Sequence, residues 1–99
     1  VTIEYRIDPE RAAEFREAMH GLRRIRLRDG SLQWGLFADA DAPDRWTEVF
    51  LVESWVEHLR QHERVTVADE DVRHRAGSFH VGDQPPLVRH LLAEQPSRG

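Results

Sequence analysis

From Val1 to Ile7 the chain alternates, with Val1, Ile3, Tyr5 and Ile7 on one side and Thr2, Glu4 and Arg6 on the other. That period of two predicts a strand with one buried face. Asp8-Pro9-Glu10 then offers an N-cap, a proline suited to the first helical position and an acid for the positive end of the helix dipole. Phe15, Ala18, Met19, Leu22 and Ile25 recur at helical spacing and predict one apolar stripe. Arg23, Arg24, Arg26 and Arg28 suit the carbonyl end of that helix, and Asp29-Gly30 turns the chain.

Ser31–Phe37 reads as a second strand with Leu32, Trp34 and Leu36 on one face, and residues 39–44, with Pro43, as a turn. The third strand, Arg45–Glu53, is apolar on both faces in its second half: Phe50 and Val52 on one side, Val49 and Leu51 on the other. A strand of that kind is covered twice. Helices of a domain this small cover one face of a sheet, so the residues Val49, Phe50, Leu51 and Val52 are expected to carry a seam with a second copy. Ser54 and Glu57 form a capping box that opens a helix through Trp55, Leu59 and His62. Thr66 and Asp69 repeat the cue for a helix carrying Val72 and Ala76 and stopped at Gly77. Ser78–Val81 reads as extended, Gly82–Pro86 as a break, Leu87–Leu92 as the last strand and residues 95–99 as a frayed tail. Strand, helix, strand, strand, helix pair, strand is the order of a ferredoxin-like α+β domain, here over residues 1–94, with helices on one face of an antiparallel sheet.

Composition narrows the chemistry. A chain of 99 residues is one domain able to bury a core without staples. It has no cysteine, which removes disulfides, thiolate metal sites and thiol catalysis. All 14 basic residues are arginines, so lysine Schiff bases and P-loop lysines are excluded. A net charge of −4 argues against a general nucleic-acid binder. No stretch approaches the ~20 apolar residues of a membrane span. Val1, rather than Met, stands first, as expected of a trimmed chain or a piece of something longer.

His58 and His62 share a helical face at metal-ligand spacing, yet two ligands are too few and no HExxH motif is present, so no metal is expected. They read as cleft-edge or interface histidines, which His74, His80 and His90 could join only through the fold. The arginine run reads as a solvated helix face complementing the dipole, with binding of an anion, a lipid headgroup or an acidic partner as the functional alternative. Trp34, Trp46 and Trp55 near element starts suit core or dimer packing, or the lining of an apolar cleft between sheet and helices.

VESWVEHLRQHERVTVADEDV (residues 52–72), a strand ending in Glu-x-Trp and followed by a helix with a His, resembles the antibiotic-biosynthesis-monooxygenase-like superfamily of dimeric α+β barrels. Together with YRIDP (5–9), RRIRLRDG (23–30), WGLF (34–37) and PLVRHLLAE (86–94), it is similar to the soluble tail of bacterial major-facilitator permeases called transmembrane secretion effectors. The resemblance implies a ferredoxin-like dimer. It also implies a non-catalytic cytoplasmic domain of an exporter, at the inner face of the membrane, that dimerises or senses a small apolar ligand. Partners would be a second copy and the membrane portion of its own chain. The alternative it carries is a cofactor-free monooxygenase acting on an apolar aromatic, with Trp55 and His62 matching the Trp and His of the superfamily motif. The Asn of those enzymes has no counterpart, because the sequence contains none. Either way the ligand cleft is expected at Trp34, Trp55, His58 and His62, with no cofactor. A dimeric domain with no ligand is the third reading.

Overall fold

The computed structural model describes residues 1–54, 56 and 66–94. Four antiparallel strands, β1 (Thr2–Arg6), β2 (Gln33–Ala38), β3 (Arg45–Leu51) and β4 (Leu87–Arg89), lie in the order β2-β3-β1-β4. Helices α1 (Ala12–Arg28) and α2 (Val67–Ser78) pack against each other and on one face of the sheet. This is the ferredoxin-like α+β arrangement that the order of elements predicts.

The expected stripe of α1 is the buried one: Phe15, Ala18, Met19, Leu22 and Ile25 all lie in the interior. Phe15 is the hub, in edge-to-face contact with Tyr5, Trp46 and Phe79. The strands present Ile3, Tyr5, Trp46, Glu48 and Phe50 to it, since Ile3 pairs with Glu48 and Tyr5 with Trp46 across the β1–β3 ladder. The opposite pleat carries Thr2, Glu4, Thr47, Val49 and Leu51.

Several boundaries move, each for a local reason. Asp8 caps a single 3-10 turn at Pro9–Arg11, its Oδ1 accepting from the Glu10 N–H at 3.0 Å, and α1 starts one turn later. The second strand begins at Gln33, so Leu32 lies in the connecting turn and is 63% exposed rather than facing inward. Gly30, at φ 103°, makes that turn. Ser78 still belongs to α2, and the expected extended piece shrinks to a bridge between Ile7 and His80. The last strand stops at Arg89, paired with Thr2, and Leu91 and Leu92 beyond it are exposed. The Thr66–Asp69 capping box is present with both reciprocal bonds. The helix expected from Ser54 and the tail at 95–99 lie outside the described residues, apart from Val56.

Candidate functional site

Glu48 is the one acid on the inner pleat of β3, between Trp46 and Phe50, and it is completely buried. A carboxylate survives there only if its lone pairs are filled. Tyr5 donates its hydroxyl to Oε1 at 3.3 Å, and the indole N–H of Trp34 reaches Oε2 at 2.9 Å. Arg26 donates through Nε to Oε2 at 3.1 Å and through Nη2 to Oε1 at 3.5 Å. The Arg26 guanidinium also lies 4.3 Å from the Phe50 ring centroid, held by its edge on the acid and by its face on the ring. The cluster ties α1, β1, β2 and β3 through one side chain.

In front of this cluster a cavity of about 440 Å³ opens beside β1 and β4. Ile3, Leu22, Phe50 and Val88 give it apolar walls. Tyr5, Arg26, Arg73 and His90 supply the polar groups. Burial, and after it the charge of Glu48, push the Tyr5 phenol above the ordinary tyrosine range, so it stays a hydroxyl. Pro85 and Pro86 close one side. They are placed by His80, whose Nδ1 accepts from the Arg6 N–H at 3.0 Å while Nε2 faces the Gln84 carbonyl at 2.8 Å. An accepting Nδ1 puts the proton on Nε2, which then donates to Gln84. The Val81 N–H to Arg6 carbonyl bond, at 2.8 Å, secures the same stretch.

The expected site residues fare differently. Trp34 does not line this cavity among the described residues: β2 is the far edge of the sheet, and its indole is committed to Glu48 behind the wall. Trp55, His58 and His62 lie outside the described residues. Of the expected seam, Phe50 is 2% exposed on the inner face, which removes it, while Val49 and Leu51 stand on the outer pleat. Val52 lies past the end of β3 and borders a second hollow with Leu91 and Leu92. The arginine run is not a uniform solvated face, because Arg26 holds Glu48 and Arg28 holds Asp69 at 3.1 and 2.7 Å. Sequence reasoning passed over Glu48, although an acid two residues from each of two aromatics on one pleat is the signal that could have found it. No group of three or more metal-ligating side chains occurs among the described residues, and no described helix is long and apolar enough to cross a membrane.

The same architecture recurs in solved structures. A Bordetella bronchiseptica protein provisionally named an antibiotic biosynthesis monooxygenase superposes with a TM-score of 0.76 at 22% identity, over 95% of this chain and 94% of that one. A Caulobacter crescentus protein of the same provisional name gives 0.77 at 18% identity, over 95% and 87%. Rv0793 from Mycobacterium tuberculosis gives 0.67 at 15%, over 94% and 93%. At such identities the likeness is one of fold. No curated protein matches significantly in sequence. A family model does, from the first strand through the last described element and beyond, over residues 1–98, and on that match the chain belongs to the transmembrane secretion effector family.

Proposed function

We propose that this chain is a non-catalytic, ligand-sensing domain of a major-facilitator-type exporter, working as a dimer on the cytoplasmic side of the membrane. The observation that carries the reading is the cavity: ligand-sized, mostly apolar, and backed by a carboxylate already filled. Both oxygens of Glu48 accept hydrogen bonds and Tyr5 keeps its proton, so neither serves as the base that an oxygenase needs to activate its substrate. Membership of the transmembrane secretion effector family supports attachment to a transporter.

The outer pleat supports the dimer. Phe37 is 59% exposed and Leu51 46%, with Val49, Thr2 and Thr47 between them and Leu87 at the edge. Its charges are partly self-neutralised, Arg45 lying 3.2 Å from Glu4 and 3.8 Å from Asp39. An apolar centre with paired charges suits a self-complementary interface.

The second reading, a cofactor-free monooxygenase, is favoured by the monooxygenase-like fold. One sample separates the two. The protein is incubated with an anthrone under an oxygen electrode while its melting temperature is followed. A rise in Tm without oxygen uptake is expected of a sensor. Oxygen uptake that disappears in Trp55→Ala or His62→Ala overturns it in favour of the enzyme. The exporter assignment is checked in the source gene, where around a dozen apolar segments of ~20 residues should precede Val1.

A further inference from the structure

We infer that the cleft receives a small apolar molecule bearing one carboxylate, with Arg73 as the group that takes its charge, an assignment that rests on the cleft being a ligand site. Arg73 and Gly77 stand one turn apart on α2 and both line the cavity. The Arg73 Nε–H is buried and has no hydrogen-bond acceptor among the described residues. A buried donor left unmet is costly, and native proteins rarely carry one without a reason.

The charge balance of the cleft points the same way. Arg26 is paired with Glu48, whereas the Arg73 guanidinium has no acidic partner among the described residues. No Asp or Glu lines the cavity among the described residues, and none there lies within ion-pair distance of Arg73. Arg73 lines the same cavity as Tyr5 of β1. A guanidinium fork fits the two oxygens of a carboxylate. A dianionic phosphate would carry one charge more than the fork offsets into apolar walls. A neutral carbonyl ligand would accept from Nε but would bring no charge to set against the guanidinium. Apolar walls of Ile3, Leu22 and Phe50 take the rest of the molecule.

Calorimetric titration of the 99-residue chain with naphthoate and with uncharged naphthamide, its near-isostere, tests this. Naphthoate should bind about tenfold or more tightly than naphthamide. Arg73→Gln should bring naphthoate down to the naphthamide level and leave naphthamide unchanged, which also shows that the variant is folded. Arg73→Lys should recover part of the difference. The Arg73 Nε–H resonance in the unmutated protein should shift with naphthoate and stay still with naphthamide, a readout that survives if the variant does not fold. Decanoate forms a further arm: tighter binding than naphthoate points to an acyl source and weaker binding to an aromatic one, both within the carboxylate class. Equal affinity for naphthoate and naphthamide, or a preference untouched by Arg73→Gln, overturns the carboxylate assignment and leaves the sensing cleft standing. Binding of none of the three overturns both.

Discussion

Replacing Glu48 with Ala would strand the Arg26 guanidinium, the Trp34 indole N–H and the Tyr5 hydroxyl together. Breaking a buried ion pair from one side costs about 3–5 kcal/mol, because the remaining charge stays without a partner. Urea unfolding of Glu48→Ala should therefore show a loss of that size. Glu48→Leu combined with Arg26→Met should recover much of it, since removing both charges removes the stranded one. A double variant no more stable than Glu48→Ala would show that the acid holds the fold by more than charge pairing. At this scale the sequence was informative about type and poor about partner. The inner face of β1 and the stripe of α1 follow from periodicity, whereas nothing local marks Glu48 as a hub until β1, β2 and α1 are brought around it. Arg26 reads as a dipole complement for the same reason: its partner is 22 residues away.

At the scale of elements, α1 and α2 are fastened by charge where their ends meet. Arg28 donates to both oxygens of Asp69, and Asp69 in turn accepts from the Thr66 N–H at the cap of α2. The Arg28 hydrogen bonds hold the Asp69 carboxyl down at about 2, against 3.8 for an ordinary aspartate. A folded-state pKa below the unfolded one contributes stability that is present above the unfolded value and lost as pH falls through the folded one. The denaturation midpoint should therefore fall between about pH 5 and pH 2, and the part owed to this pair should vanish in Arg28→Met. An identical pH profile for that variant would remove the clamp from the account. Gly77 offers a gain instead: it is helical, and an added Cβ meets no atom within 4 Å. Gly77→Ala should stabilise the chain by about 0.5–1 kcal/mol, read as a rise in Tm of a few degrees. The capping box of α2 was visible in the sequence because a cap is a contact over three residues. The ends of β2 and β4 were not, because they depend on pairing with segments distant in sequence.

For the whole molecule the proposed dimer seam lies on the outer pleat. In the proposed dimer, Arg at Leu51 would put a charge beside Val49 on the outer pleat, so Leu51→Arg should sediment as a monomer where the parent chain is expected to sediment as a dimer. Val49→Arg should do the same. A dimer that survives both changes would place the seam elsewhere. The expectation of a doubly covered third strand needed only the alternation of Val49, Phe50, Leu51 and Val52; which pleat faces outward was decided by the pairing of Phe50 with Trp34 and its burial under α1.

What the sequence by itself determined is whatever its local periods encode: strand and helix types, their order, and from that order a ferredoxin-like α+β domain. Local periods suffice because each element buries a stripe or face set by its own repeat. Only the tertiary structure decided that Glu48 is an interior hub, that Trp34 stands behind the cleft instead of in it, and that Arg73 has an Nε–H beside it with no acceptor among the described residues. Those are facts about partners supplied by distant segments, and charge and burial acquire their meaning from the partner, which no local pattern carries.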